Sequence, residues 1–227
     1  MRPAILFDID GTLLHARGVG RGAFDRAFRA ADGVAYPDMA SISFIGATDL
    51  GVVRAMAEQC GVPSTPAREE HFAFLLAHHL EEGLTATPPH VYPGVPELLR
   101  ALTARGMALG LVTGNVRATA WMKVRHAGVD DCFTFGGYGD EDPDRNTITR
   151  LALSRLPPDT FPALLVGDTP RDIEAAHRNG LKALAVGSGW ISVEELQVAG
   201  ADAVLPDFSA IDRSLQTIQT LIPTTVR

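Results

Sequence analysis

The sequence is poor in cysteine and lysine, with two of each among 227 residues, and it has no long apolar run. Cys60 and Cys132 form neither a CxxC pair nor a disulfide framework, so we expect buried small side chains. No window approaches the roughly 20 apolar residues that a membrane helix needs. The first apolar run, residues 4–7, is too short for a signal peptide. These absences predict a cytoplasmic protein that does not contact a membrane.

Basic clusters and phosphate-loop signatures are also missing. The formal net charge is −7, and the sequence contains no dense block of Lys and Arg, no GxGxxG and no Walker A motif. We therefore expect no binding to nucleic acid. The composition, with 46% hydrophobic and 21% charged residues, is typical of a globular protein that buries a substantial core. The oligomeric state expected from this composition is a monomer or a homodimer.

Short apolar runs alternate with helical patterns over much of the chain, which favours a parallel sheet with helices on both faces. The predicted fold class is therefore α/β, with a Rossmann-like doubly wound core. The predicted strands are residues 4–9, 108–115, 132–135, 163–168, 182–187 and 201–205. The predicted helices between the later strands are residues 96–105, 116–127, 146–156, 169–178 and 193–199.

A helical stretch, from residue 18 to about residue 83, interrupts this alternation after the first strand. Thr65 followed by Pro66 resembles an N-cap with proline at the first helical position, and Gly83 is expected to end that helix. A proline-rich segment then marks a boundary. We predict a small α-helical cap domain inserted into the core, with the cap at residues 15–92 and the core at residues 1–14 and 93–227.

Polar and small residues follow three of the predicted strands. Because ligands of open α/β sheets bind outside the carboxyl ends of the strands, these residues are the candidate site. Carboxylates, hydroxyls and closely approachable backbone N–H groups suit a hard cation together with a phosphate, and Mg²⁺ is the expected cofactor. The candidates are Asp8, Asp10, Gly11, Thr12, Thr113, Gly114, Asn115, Asp168 and Asp172.

Three motifs, in this order and at these strand ends, resemble the haloacid dehalogenase superfamily. DIDGT at residues 8–12, LVTGN at residues 111–115 and VGDTPRD at residues 166–172 look like its first, second and fourth motifs. The helical insertion resembles the C1 cap of phosphoglycolate-phosphatase-like members. The resemblance covers almost the whole chain and implies a Mg²⁺-dependent phosphatase acting on a small organic phosphate monoester.

The resemblance also implies a role for each candidate residue. Asp8 would attack phosphorus to form an aspartyl-phosphate, and Asp10 would act as general acid and then general base. The implied metal ligands are Asp8, Asp168 and the backbone carbonyl of Asp10, with Asp172 orienting the third-motif cation. Thr113 would hold phosphoryl oxygens as a catalytic residue. The implied substrate-binding residues are Gly11, Thr12, Gly114 and Asn115.

The chain departs from the family pattern in the third motif, where a lysine is usual. No lysine lies between Lys123 and Lys182, and the region reads GDEDPDRNTITRLAL. We assign the role to Arg145, a permanent cation able to pair two phosphoryl oxygens. Lys123 is the alternative, although its mid-helix position predicts an exposed side chain.

Two other functions share these motifs. A phosphomutase of the β-phosphoglucomutase type would use the same catalytic set, and a catalytically silent module would bind phosphate without turnover. A dehalogenase is disfavoured because that chemistry in the family dispenses with the second acid, here Asp10. Outside the motifs, Trp190 is expected in the core or at a sheet edge. The candidates to reach the crevice from the cap are Arg17, Arg21, Phe44 and Thr48.

Overall fold

A computed structural model of the chain describes residues 1–32 and 42–222. Parts of the predicted cap and core at residues 33–41 and 223–227 lie outside these described residues. The strands are β1 Arg2–Phe7, β2 Leu14–His15, β3 His90–Val91, β4 Ala108–Val112, β5 Phe133–Gly137, β6 Thr160–Gly167, β7 Lys182–Val186 and β8 Ala203–Leu205. The helices are α1 Val19–Asp32, α2 Asp49–Gln59, α3 Pro66–Ala86, α4 Val95–Ala104, α5 Arg117–His126, α6 Arg145–Leu153, α7 Pro170–Arg178, α8 Val193–Val198 and α9 Ile211–Leu221.

The main sheet has six parallel strands in the order β5-β4-β1-β6-β7-β8, and this topology confirms the predicted α/β class. β1 lies in the middle because both of its faces are apolar and covered. Ile5 and Phe7 join the hydrophobic cluster formed with α4, α5 and α9, whereas Ala4 and Leu6 join the cluster formed with α6, α7 and α8. The carboxyl ends of β1, β4 and β6 are therefore neighbours at one edge.

The chain between β2 and β3, which contains α1, α2 and α3, is called here the helical insertion, and its helices build a separate hydrophobic cluster. Thr65 caps α3 as predicted, its side chain accepting from the Arg68 N–H. Gly83 does not end that helix, which continues to Ala86. A Cβ at Gly83 would lie 2.4 Å from a Val19 methyl group, so the glycine serves the close packing of α1 on α3 instead. The two-residue strands β2 and β3 pair antiparallel where the chain leaves and re-enters the core.

Several features differ from the predictions based on local pattern. Helix α9 was not predicted, although Leu215 and Ile218 anchor it in the core. Cys60 and Cys132 are free but only partly buried, contrary to expectation. Trp190 was expected in the core or at a sheet edge, yet it lies in the loop between β7 and α8 and is 84% exposed.

Within residues 1–32 and 42–222, no helix is both long and apolar enough to cross a membrane.

Candidate active site

Two carboxylates follow β1 directly at the carboxyl edge of the sheet. Asp8 is 4% exposed, and its backbone N–H donates to the carbonyl of Val166 at 2.9 Å. The side chain of Asp10 is 42% exposed. Gly11 follows with φ +89°, and a Cβ there would lie only 2.1 Å from Asp168 Oδ2. Glycine is therefore required both by the turn and by the close approach of Asp168.

Asp8, Asp168 and Asp172 form a buried acidic cluster. One oxygen from each of the three lies within 4.8 Å of the others. Burial raises the pKa of Asp8, and the charges of Asp172 and Asp10 raise it further against the opposing effect of Arg145. Burial also raises the pKa of Asp168, with Asp8 and Asp172 contributing. The nearby guanidinium of one arginine therefore compensates only part of the negative charge of these three buried carboxylates.

That guanidinium belongs to Arg145, the first residue of α6. Its Nη1 donates to Asp8 Oδ1 at 3.2 Å and to the Val112 carbonyl at 3.3 Å, and Nη2 lies 3.2 Å from Asp172 Oδ1. Burial opposes a charge here, but the surrounding carboxylates outweigh it and raise the pKa of Arg145. The cation is therefore permanent and held between two acids. Arg145 thus lies between two of the acids predicted for the site.

Lys123 is not the exposed mid-helix residue that its position in α5 predicted. It is 6% exposed, and its Nζ lies 2.6 Å from Asp10 Oδ2 and 2.6 Å from Asn115 Oδ1. The Asn115 amide donates to Asp10 Oδ2 at 2.7 Å. Lys123 and Asn115 thus hold the same oxygen of Asp10. The prediction of an exposed Lys123 was wrong because the helical pattern does not reveal that this face of α5 turns toward Asp10.

Thr113 and Gly114 lie just beyond the end of β4. Thr113 is fully buried, and its Oγ1 accepts from the backbone and side-chain nitrogens of Asn115 at 3.2 and 2.7 Å. A hydroxyl that accepts twice keeps its own proton to donate. The Gly114 carbonyl accepts from the Asp49 N–H at 2.7 Å, and a Cβ on Gly114 would lie 2.2 Å from the Ala47 carbonyl oxygen. Gly114 therefore lies against the helical insertion.

Thr12 and Asp172 hold other members of the site. Thr12, predicted to bind substrate, is fully buried, and its hydroxyl donates to Asp168 Oδ1 at 3.4 Å. It stands behind Asp168 and is absent from the residues that line the cavity described below. Asp172 accepts at Oδ2 from the N–H and hydroxyl of Thr169 at 3.2 and 2.7 Å. Its other oxygen faces Arg145, so Asp172 positions that cation.

A cavity of about 850 Å³ lies between the edge of the sheet and the helical insertion. Its wall includes Asp8, Asp10 and Arg145 from the core. Of the four insertion residues predicted to reach this crevice, three line it: Arg17, Arg21 and Phe44. Thr48 instead caps α2 by accepting from the Gly51 N–H at 3.1 Å.

Asp49, the first residue of α2, was not among the predicted site residues. Its Oδ2 accepts from the Val116 N–H at 2.9 Å and from the Thr119 hydroxyl at 3.3 Å, so an acid of the helical insertion caps the start of α5. Burial raises the pKa of Asp49 to about 6 against the charge of Lys123. A single Asp before a helix carries no signal of a partner 67 residues away.

The chain resembles known proteins over nearly its whole length. Residues 5–186 match the family described as haloacid dehalogenase-like hydrolase. The chain is 31% identical over 221 residues to a phosphoglycolate phosphatase of Rhodospirillum rubrum, covering 93% of this chain and 90% of that protein. It is 32% identical over 224 residues to a 5'-nucleotidase of Pseudomonas aeruginosa, covering 95% of this chain and 96% of that protein.

Solved structures share the fold at lower identity. CbbY from Rhodobacter sphaeroides, solved in complex with phosphate, gives a TM-score of 0.73 at 22% identity, covering 93% of this chain and 96% of that one. A β-phosphoglucomutase-like protein from Thermotoga maritima gives a TM-score of 0.62 at 21% identity, covering 96% of this chain and 99% of that one.

Proposed function

This chain belongs to the haloacid dehalogenase-like hydrolases and is a phosphatase, and from that premise we propose that it hydrolyses a small organic phosphate monoester through an aspartyl-phosphate on Asp8. One observation carries the proposal. Asp8 ends β1 at the wall of the cavity, with a guanidinium nitrogen of Arg145 3.2 Å from its Oδ1. Nucleophile and anion-binding cation thus face the same space.

In the first step, a carboxylate oxygen of Asp8 attacks phosphorus while the bond from phosphorus to the ester oxygen breaks. The leaving oxygen takes a proton from the carboxyl group of Asp10. The guanidinium of Arg145 pairs with two phosphoryl oxygens, and the Thr113 hydroxyl donates a hydrogen bond to the third. Both groups are buried, so they are already oriented before the substrate binds.

In the second step, Asp10 takes a proton from a water molecule as the water oxygen attacks phosphorus. The bond between phosphorus and Asp8 breaks, phosphate leaves, and Asp8 returns to the carboxylate. Asp10 must face the cavity in both steps. Lys123 and Asn115 support this role because they hold Asp10 Oδ2 at 2.6 and 2.7 Å. We assign both as positioning residues for the acid and base.

The acidic cluster fits a Mg²⁺ ion. Burial and mutual repulsion raise the pKa values of Asp8 and Asp168, and the surrounding groups include one compensating guanidinium within reach of Asp8. The backbones at Gly11 and Gly189 both leave room for Asp168 Oδ2, where a Cβ would lie 2.1 and 1.9 Å away. Asp8, Asp168 and, by family resemblance, the Asp10 carbonyl would hold the ion. When bound, it would offset the charge of the carboxylates and of the incoming phosphate.

The helical insertion is proposed to act as the cap, with residues 15–92 as its extent. It supplies the cavity wall opposite the catalytic carboxylates, and closing such a lid excludes water from the reaction. The names of the two sequence relatives suggest phosphoglycolate and 5'-nucleotides as candidate substrates to be tested.

The direct test is release of p-nitrophenol from p-nitrophenyl phosphate with and without Mg²⁺, using Asp8→Asn as the control. We expect Mg²⁺-dependent release that falls by about 10⁴-fold or more in the variant, as for loss of other enzymes' nucleophiles. Acid-quenched wild type should carry the added mass of one phosphoryl group on the peptide that contains Asp8. Residual activity within about tenfold of wild type would remove Asp8 as nucleophile. Retained phospho-Asp8 with transfer only to sugar phosphates would establish the phosphomutase alternative.

A further inference from the structure

Two exposed apolar side chains stand at the mouth of the catalytic cavity. In the part of the chain that the structure describes, the exposed large hydrophobic residues are Met1, Ile45, Phe74, Trp190 and Val198. Trp190 and Ile45, 84% and 45% exposed, both line this one cavity, Trp190 from the core and Ile45 from the helical insertion. Scattered exposed residues need no explanation, but apolar groups gathered at a cleft indicate a binding surface.

The loop that carries Trp190 is anchored to the catalytic edge. The Ser188 hydroxyl donates to the Gly11 carbonyl at 2.8 Å. Gly189 packs so closely on Asp168 that a Cβ would lie 1.9 Å from its Oδ2. Because consecutive Cα atoms are about 3.8 Å apart, Trp190 starts next to the carboxylate cluster. A ligand that fills this cavity therefore has Trp190 on its wall as well as the carboxylates.

The opposite side of the mouth is anchored as well. Phe44 packs edge-on against Phe24, with ring centroids 5.3 Å apart, and the guanidinium of Arg21 lies 5.1 Å from the Phe44 ring centre. The Gly46 carbonyl accepts from Arg171 Nη1 of the core at 2.8 Å. Phe44 and Ile45 are thus held on the wall that faces the sheet edge, and both line the cavity.

We propose that Trp190 is a substrate-binding residue, and that the substrate is a phosphate monoester whose alcohol portion carries an aromatic ring close to the ester oxygen. This inference rests on the proposed function. An indole offers a large stacking area, one N–H donor and no charge, so a short acidic alcohol such as glycolate gains little from it. An aromatic ring stacks on it and leaves water at the same time.

The test compares Trp190→Ala with Phe74→Ala, an exposed aromatic residue of α3 that is not among the cavity-lining residues. We expect Trp190→Ala to lower kcat/KM for 1-naphthyl phosphate about tenfold, mostly through KM, as loss of one stacking contact predicts. Trp190→Phe should retain activity within about threefold of wild type, because a ring remains. Turnover of glycerol phosphate and inhibition by inorganic phosphate should change less than about twofold, as should every Phe74→Ala value.

Binding is also measured without turnover. Phenylphosphonate, which is not hydrolysed, should quench tryptophan fluorescence in wild type and not in Trp190→Phe, whereas methylphosphonate should quench neither. This readout separates the two hypotheses: wild type that hydrolyses no ester refutes the proposed function, and absent quenching refutes the role of Trp190. The inference would be overturned if Trp190→Ala lost as much kcat/KM for glycerol phosphate as for 1-naphthyl phosphate. It would also be overturned if the kinetic values of Trp190→Ala matched those of Phe74→Ala. A wild-type dimer that Trp190→Ala converts to a monomer with unchanged kinetics would overturn it too.

Discussion

The sheet edge and the helical insertion supply opposite walls of one cavity, and they differ in how firmly their side chains are held. Asp8, Thr113 and Asp168 are each no more than 4% exposed, and each has a hydrogen-bond partner in the core. Arg21 and Ile45 on the insertion are exposed. The difference indicates that the proposed chemistry is built into a rigid, charged wall, whereas the wall that faces it across the cavity presents exposed side chains.

Both apolar and polar contacts join the core to the helical insertion: Val116 packs in the hydrophobic cluster of the insertion, and several hydrogen bonds lie near the cavity. Asp49 of α2 accepts from the Val116 N–H and its own N–H donates to the Gly114 carbonyl, and Arg171 donates to the Gly46 carbonyl. Polar contacts of this kind exchange with water at small cost, which suits the proposed role of the helical insertion as a cap.

The largest effects should come from the rigid wall, where Arg145 and Lys123 can be compared. Arg145→Ala should lower kcat/KM by about 10²-fold or more and weaken inhibition by inorganic phosphate, because the phosphoryl group loses its cation. Lys123→Ala should leave inhibition by phosphate nearly unchanged and slow alkyl phosphates more than p-nitrophenyl phosphate, whose leaving group needs little protonation. The reverse ranking for phosphate inhibition would make Lys123 the third-motif cation.

Because Arg145 is buried against two acids, its alanine variant is at risk of unfolding. Arg145→Lys keeps the charge and serves as the control, with circular dichroism and thermal melting measured for each variant. It should bind phosphate better than Arg145→Ala at a similar Tm. Equal phosphate affinity in two folded variants would remove the charge of Arg145 from substrate binding.

An intermediate effect is expected where the two walls meet. In Gly114→Ala the new methyl group would lie 2.2 Å from the Ala47 carbonyl oxygen, which forces the helical insertion away from the strand end. We expect kcat/KM to fall about 10- to 100-fold, since small displacements at a catalytic site are costly. Gly22→Ala on α1 is the matched control: Gly22 also lines the cavity, but no atom of the described residues lies within 4 Å of the new Cβ, so it should retain activity. Equal activity of the two variants would show that the insertion contact at Gly114 is dispensable.

The smallest effect concerns the thermal stability of the metal-free protein, which depends on the acidic cluster of the rigid wall. The pKa values of Asp8 and Asp168 are raised from their ordinary 3.8, so the folded protein binds more protons than the unfolded chain as pH rises above that value. Stability from this cluster is therefore lost with rising pH. In EDTA, we expect Tm to fall by about 2–4 °C between about pH 5 and about pH 8, and Mg²⁺ to reduce that fall.

Asp168→Asn supplies the control for this cluster, because it removes one titrating carboxyl and one proposed ligand together. Its Tm in EDTA should depend less on pH than that of wild type, and Mg²⁺ should no longer raise it. A wild-type Tm that rises with pH in EDTA would contradict the assignment of the cluster.

Local sequence was informative wherever an effect depends on neighbours along the chain. The N-cap at Thr65 and the strand of β1 followed from patterns of a few residues, and so did the placement of the three motifs after strands. Prediction from local sequence failed where the packing partner of a residue lies far away along the chain. The extension of α3 past Gly83, the burial of Lys123 and the exposure of Trp190 each depend on what packs nearby.

The α/β class could be predicted from the sequence alone, as could the polar residue types at the strand ends, because strand periodicity and the residues that follow a strand are local features. Which cation meets which acid depends on the tertiary structure. Arg145 meets Asp8 across 137 positions, and Lys123 meets Asp10 across 113. The tertiary structure also decides that Trp190 faces the cavity. Such pairings depend on how helices and loops pack over the sheet, which no spacing of residues along the chain encodes.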